Sequence, residues 1–270
     1  MRGASRASLS EARDRLVSAV DERGVAAGLS DELFAFVTLL DTQPPLRRAL
    51  TDPTRPPAAR TGLADSLLQG KVSPVTLDLL GHLAGARWSE PRDLAAAAEQ
   101  LAVLAAAAAS GEAGQLDEVE DELFRFGQLV AANPQLRSAL SSPVAPADLK
   151  RQLLDTLLDG KVTDTSLRLI TQAAVHPRGR SLDASLTEYA RLAAEWRQRL
   201  IAVVRVAVPL SDTERDRLSA ALAAAFGHGI HLDVLLDPGV LGGISVRIGD
   251  EFIDGSVASR LTALRRRLAA

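Results

Sequence analysis

The chain has 270 residues, 47% of them apolar and 24% charged, and no cysteine. This composition excludes a largely disordered chain, a disulfide scaffold, a thiolate metal site and a thiol nucleophile. With 31 basic and 34 acidic residues the net charge is −3, which argues against a nucleic-acid binder.

The length predicts about two domains, with room for a third if they are small. Aromatics are only 3% and alanine is abundant. Such cores suit close-packed helices better than β-sandwiches. The first residues, MRGASRASLSEARDRL, contain no apolar signal region. The most apolar run, LAVLAAAAA at 101–109, falls well short of the ~20 residues that span a bilayer. A soluble chain is expected, held at a membrane only by a partner.

The first predicted helix with a clear apolar face covers 31–40 (DELFAFVTLL), where Leu33, Val37 and Leu40 share a side. Gln43-Pro44 interrupts it, the short segment LRRAL follows, and Asp52-Pro53 marks a loop. Further short helices run to the middle of the chain. The segment 92–109 is expected to end one bundle and begin the next. From 121 the pattern returns: DELFRFGQLV stands 90 residues after DELFAFVTLL, and the offset continues without a gap. PPLRRAL is matched by PQLRSAL, Pro53 and Pro56 by Pro143 and Pro146, and Gly70-Lys71-Val72 by Gly160-Lys161-Val162. About 22 of the 50 positions from 31 to 80 recur, where chance would give about a tenth. Past Leu80 the offset becomes 88. Prolines and a GKV triplet at fixed spacing mark an internal duplication.

In the second copy Leu123, Phe126 and Val130 share a face. Asp117, Glu118, Glu120, Asp121 and Glu122 are expected to complement the positive end of their own helix. Helices are predicted over 150–158, closed by Asp159-Gly160, over 163–175, and over 181–200. Each copy thus reads as five or six short helices.

After residue 200 the pattern changes. LIAVVRVAV (200–208) reads as a strand ended by Pro209. Ser211-Asp-Thr-Glu214 is a capping box opening a helix to Phe226. Ile230, Leu232 and Val234 alternate with polar residues, as do Ile244, Val246 and Ile248, giving two more strands, and Phe252-Ile253 extends the pairing. Asp254-Gly255-Ser256 caps a last helix over 257–268, with Arg265, Arg266 and Arg267 in its final turn. The fold class is mainly α: two tandem helical bundles at 1–95 and 96–197, then a small α+β unit at 198–270.

Motifs for chemistry fail individually. Gly239, Gly242 and Gly243 precede a strand, whereas nucleotide-binding glycines lie between a strand and a following helix. Gly70-Lys71 and Gly160-Lys161 lack the upstream glycine of a phosphate loop and read as helix ends. His228 and His231 lack companion ligands, and His82 and His176 have no partner in sequence. Trp88 and Trp196 read as packing residues. Carboxylates are plentiful but form no marked pair. No catalytic residue, cofactor or metal site is expected.

The stretch LDPGVLGGISVRIGDEFIDGSVASRLTALRRRL (236–268) resembles the C-terminal signature of the delta subunit of F-type ATP synthases, the oligomycin-sensitivity-conferring protein of mitochondria. The match lies in Asp237, Pro238, Leu241, Gly242, Gly243, Ile248, Gly249, Asp254, Gly255, Ser256, Arg260 and Leu261. VAVPLSDTERDRL (206–218) resembles the family's strand, proline and following helix. The stretch 136–170 resembles its helical N-terminal domain, and the resemblance covers about 95–270. A second copy of that domain in front departs from the usual chain, though some high-GC Gram-positive members are similar in this respect. The resemblance implies a non-catalytic stator of the peripheral stalk, which couples proton-driven rotation to ATP synthesis. Its partners would be the N-terminal helices of alpha subunits and the C-terminal helix of b. It would lie at the cytoplasmic face of the cell membrane, with no nucleic acid and no direct membrane contact. The second copy would meet alpha and 196–270 would meet b. The signature residues would shape turns and caps near the b contact, and the first copy would brace stalk or head. The alternatives are a free-standing helical adaptor unrelated to the synthase, or an enzyme with an unrecognised carboxylate site.

Overall fold

The computed structural model describes residues 1, 3–24, 28–199, 201–226, 230–237, 243–248 and 251–254. Its contacts divide the chain into two compact units, Met1–Ala194 and Glu195–Ala270.

The regular elements described in the first unit are all helices. Its elements are α1 (Ala4–Arg23), α2 (Leu29–Thr42), α3 (Pro44–Thr51), α4 (Pro57–Leu68), α5 (Pro74–Gly85), α6 (Pro91–Glu112), α7 (Leu116–Ala132), α8 (Pro134–Ser141), α9 (Ala147–Leu158), α10 (Asp164–Val175) and α11 (Leu182–Arg199). The 90-residue repeat is visible in these bounds: α3, α4 and α5 recur as α8, α9 and α10 at that offset. Pro44 and Pro134 each take the first position of a new helix, where a missing N–H costs nothing. Gly70 and Gly160, one residue beyond the caps of α4 and α9, adopt positive φ of 75° and 66°. There the chain turns back on itself, and Lys71 and Lys161 donate their N–H groups to Leu68 and Leu158 at 2.9 Å. At Gly85 a side chain would meet Thr61 Oγ1 at 2.9 Å, so a residue without Cβ lets α4 and α5 approach closely.

α6 is the shared element. It packs against α1, α2, α3 and α5 in the first copy and against α7 and α10 in the second. Leu94, Ala95, Ala97, Ala98, Leu101, Ala102, Val103 and Ala105 are all fully buried. A helix apolar on every side must be covered on every side, and alanines let neighbours come close. α6 has 22 residues, and its length and composition would allow it to cross a membrane. However, 78% of its apolar window is buried against other helices. The helix is longer than the apolar run read from the sequence, and its apolarity serves the core.

Two carboxylates of α6 are buried: Asp93, which accepts a hydrogen bond from Ser5 Oγ at 2.7 Å, and Glu99, which has more partners. Glu99, on α6, is 2% exposed. It accepts hydrogen bonds from Arg178 Nη1 at 2.8 Å, from Arg180 and from Tyr189 Oη at 2.7 Å. Arg178 also pairs with Asp41 of α2 at 2.8 Å and donates to the Ala95 carbonyl at 3.1 Å. Arg178 itself takes a left-handed backbone, φ 51°. The network therefore joins α2, α6, the α10–α11 loop and α11, which belong to both copies.

The second unit contains β1 (Ile201–Val206), α12 (Asp212–Phe226), β2 (His231–Leu236), β3 (Ile244–Ile248) and β4 (Glu251–Asp254). The sheet order is β2-β1-β3-β4. β1 and β2 are parallel, with α12 as their crossover, while β3 pairs antiparallel with β1 and β4. Ala202, Val204, Val206, Leu222, Ile230, Leu232, Val246 and Ile248 form one core. The capping box is present: Ser211 N–H and Oγ donate to Glu214 at 2.9 and 2.7 Å, and Glu214 N–H returns to Ser211 Oγ at 3.4 Å. These two bonds to the carboxylate hold it below its usual range.

Replacing Glu99 by alanine leaves Arg178 and Arg180 without their buried partner. Removing one member of a buried ion network costs about 3–5 kcal/mol, and urea unfolding should show that loss. An unchanged midpoint would contradict the central role of Glu99. Tyr189 is the chain's one tyrosine. Burial first, and Glu99 second, hold its phenol well above the usual value. The unfolded phenol ionises near pH ~10, so stability is complete below that pH and falls as pH rises towards the folded value. Phenolate absorbance should therefore appear only together with unfolding; phenolate in the folded protein would refute this.

Candidate docking surfaces

The repeat builds the same end-capping device twice, around α5 and α10. In the first copy Glu32 of α2 accepts hydrogen bonds from Ser73 N–H and Oγ, both at 2.9 Å, and from Thr76 Oγ1. In the second, Glu122 of α7 accepts from Thr163 N–H at 3.1 and 3.0 Å and from Thr163 Oγ1 at 2.8 Å. Ser73 and Thr163 are the N-caps of α5 and α10. The carboxylates thus satisfy orphan donors and face the positive helix ends. The expectation that Glu122 serves its own helix is corrected here. α7 begins at Leu116, so only Asp117 and Glu118 lie in its first turn. Glu122 is a turn further on and reaches a helix 41 residues away.

The opposite ends of α5 and α10 receive buried cations. Arg60 of α4, 3% exposed, donates to the carbonyls of Ala86 at 2.6 Å and Gly85 at 2.9 Å. Lys150 of α9, 6% exposed, donates to the Ala174 carbonyl at 3.2 Å. Burial lowers both pKa values, while the negative helix end gives each charge a partner. Neither residue was singled out from the sequence. The signal lay in the repeat itself, because arginine and lysine stand 90 positions apart.

Two related grooves lie beside these helices. In the first copy a groove of about 730 Å³ is lined by Glu11 and Arg15 of α1, Thr61 and Asp65 of α4, and Leu77, Asp78, Gly81 and His82 of α5. In the second copy the corresponding α9 and α10 positions, Arg151, Asp155, Leu167, Arg168, Thr171 and Gln172, line a cleft of about 400 Å³. Here α2 supplies the facing wall with Asp31, Phe34, Ala35 and Thr38. Asp31 pairs with Arg168 at 3.2 Å across it.

The second copy also exposes apolar side chains. Leu149 and Leu153 lie one turn apart on α9, 58% and 38% exposed, and Val144 just before it is 87% exposed. Ninety residues earlier stand Ala59, Leu63 and Thr54. Trp88 is buried and donates Nε1–H to the Leu83 carbonyl at 2.8 Å, and Trp196 is buried on α11. His82 lines the first groove, and His176 is half-buried between α10 and α11. Burial, then Arg151, lowers the His176 pKa. Among the described residues no cluster of three His, Asp or Glu is placed to hold a metal.

Several signature residues are placed in the sheet unit. Asp237 follows β2; its N–H donates to the Val206 carbonyl at 2.9 Å and its carboxylate lies 3.9 Å from Arg205. Gly243 enters β3 with φ 83°, a left-handed backbone that glycine favours. Ile248 is buried at the end of β3. Asp254 pairs in register with Ser245. Pro238, Leu241, Gly242, Gly249, Gly255, Ser256, Arg260 and Leu261 lie outside the described residues, as do His228, Gly239 and the arginines 265–267.

The profile of the ATP synthase delta (OSCP) subunit family matches residues 101–268. The chain belongs to that family. Curated relatives called ATP synthase subunit delta are similar along the whole chain. That of Thermobifida fusca is 47% identical over all of both chains. That of Streptomyces griseus is 49% identical over the same share, and that of Streptomyces coelicolor 48%, covering 100% of this chain and 99% of its own. These matches run through the first repeat copy as well as the second. A chain in the mitochondrial ATP synthase hexamer of Toxoplasma gondii is similar over 62% of this chain and 97% of its own, with 20% identity and a TM-score of 0.33.

The shared cap predicts a measurable coupling. Thr163→Ala should cost about 1 kcal/mol in urea unfolding, the usual worth of an N-cap. Glu122→Ala should cost about 1–3 kcal/mol by leaving donors without a partner. The double variant should cost less than the sum, since both remove one network; strict additivity would refute the shared cap.

Proposed function

We propose that this delta-family chain is a non-catalytic connector of the peripheral stalk, joining alpha subunits of the ATP synthase head to subunit b at the cytoplasmic face of the cell membrane. The observation that carries this reading is the match to ATP synthase delta subunits over the whole chain. The build supports it as well. Two units with separate cores suit a two-ended link. A helical unit tied internally by buried ion pairs suits a part that must resist torque.

In this reading the chain comprises a first bundle (1–95), a second (96–197) and the α+β unit (198–270). The second bundle meets alpha, and the exposed Val144, Leu149 and Leu153 support that choice, because apolar patches mark protein contacts. The 198–270 unit meets b, with the signature residues shaping its turns. The first bundle, joined to the second through α6, braces stalk or head.

The test is reconstitution with membranes stripped of their own delta subunit. The full chain should restore proton-coupled ATP synthesis. Leu149→Asp with Leu153→Asp should weaken binding to the head at least about tenfold, the effect of losing ~1.4 kcal/mol of contact, and leave binding to b unchanged. Equal head binding by this variant would remove α9 from the contact. Failure of the full chain to bind head and b would favour a free-standing adaptor.

A further inference from the structure

The groove of the first copy and the cleft of the second are one site built twice. Positions 61, 65, 77, 78, 81 and 82 line the first, and the positions 90 further on line the second. In the second copy a helix already lies over the site. α2 closes it with Asp31, Phe34, Ala35 and Thr38, a stripe at i, i+3, i+4 and i+7, which is how a helix seats in a groove. Phe34 is only 9% exposed there. In the first copy no described residue takes the place of that stripe, and the groove stands open at about 730 Å³ against about 400 Å³. α1 packs beside α5 as α6 packs beside α10, so the groove has both its flanks and lacks only a covering helix.

The two sites differ in charge. The closed cleft is lined by two carboxylates, Asp31 and Asp155, and two guanidiniums, Arg151 and Arg168. α2 supplies the carboxylate that completes this balance, and Asp31 meets Arg168 at 3.2 Å. In the open groove Thr61 and Asp78 stand where the two arginines would be. Arg15 neutralises Asp78 through two bonds of 2.7 Å. Glu11, one turn before Arg15 on α1, and Asp65 on α4 line the same groove and have no cationic partner among the described residues. Two negative charges are therefore left for an occupant to meet. Leu77 and Gly81, one turn apart on α5, give the groove a small apolar floor, with glycine where the second copy has Thr171.

We propose that the groove between α1, α4 and α5 is the docking site of one basic amphipathic helix from another subunit. That helix lies over the first copy as α2 lies over the second. Its apolar residues rest on Leu77 and Gly81, and its lysines or arginines face Glu11 and Asp65. The unmatched carboxylates select the partner, because an acidic helix would meet like charges there. The source of the helix rests on the connector reading above, and its docking gives the first bundle a means of bracing stalk or head. The site is separate from the apolar α9 surface, which belongs to the second copy.

The chain has no cysteine, so Gln69→Cys places a single thiol at the edge of the groove for a benzophenone maleimide. The labelled full chain is reconstituted with membranes stripped of their own delta subunit and irradiated. The expected cross-link joins it to a helical segment of another subunit in which lysine and arginine outnumber aspartate and glutamate. Glu11→Lys with Asp65→Lys in the labelled chain should cut the yield at least about tenfold, with circular dichroism and the melting temperature verifying the fold. Glu11→Lys alone, at an exposed position, should give a smaller loss in the same direction. A chain that binds the membranes and restores ATP synthesis without this cross-link would overturn the docking site and leave the connector standing. A cross-link to an acidic or non-helical segment, or one that survives charge reversal in a folded variant, would overturn it as well. A chain that does not bind the membranes would overturn both.

Discussion

The helical unit depends on one buried carboxylate. Glu99 projects from a helix made mostly of alanine and leucine, in a core where an unpaired charge would be prohibitive. Its partners come from far along the chain: Arg178, Arg180 and Tyr189. They can reach it only if α10 and α11 are folded onto α6. Arg178 then continues to Asp41, so α2 is fixed as well. Hydrophobic burial alone would hold α6 in the core but would tolerate sliding or rotation among similar alanine faces. The charge network permits one register. That is a specificity argument, since buried ion pairs often add little net stability.

Around this centre the two copies solve the same problem with the same device. α5 and α10 are each gripped at the N-terminus by a glutamate from the second helix of the copy and at the C-terminus by a buried cation. Each grip uses the unpaired backbone groups at a helix end, which must be satisfied somewhere. Short helices of 12 residues are marginal alone, and tertiary caps of this kind help to hold them. The copies then diverge at their surfaces. Where they meet, Asp31 finds Arg168. Where the first copy ends, Arg15 and Asp78 pair with each other. Where the second faces outward, apolar residues remain uncovered on α7 and α9.

Much of this was legible beforehand. The prolines at 44 and 134, the GKV triplets and the apolar spacing located the helices, because these signals act within a few residues. The capping box at Ser211–Glu214 and the alternating strands were legible for the same reason. The glutamate caps were not, because Glu122 lies in an acidic cluster that also suits its own helix end, and its partner is 41 positions away. The Glu99 network was hidden too, since an isolated Glu in an alanine-rich stretch reads as a solvated face. Its acceptors are filled from positions 79, 81 and 90 residues distant.

The sequence by itself determined the helical class, the duplication, the change to a sheet unit after residue 200 and the family. Each of these rests on local periodicity or on a contiguous motif. The tertiary structure decided how the duplication is used. It placed α6 in both copies, turned side chains of one copy into caps and ion pairs of the other, and made the two grooves unequal. Those outcomes depend on which distant charges come within about 3 Å of each other in a dry core, where an ion pair is strong and an unpaired charge is costly. Local spacing carries no record of that distance.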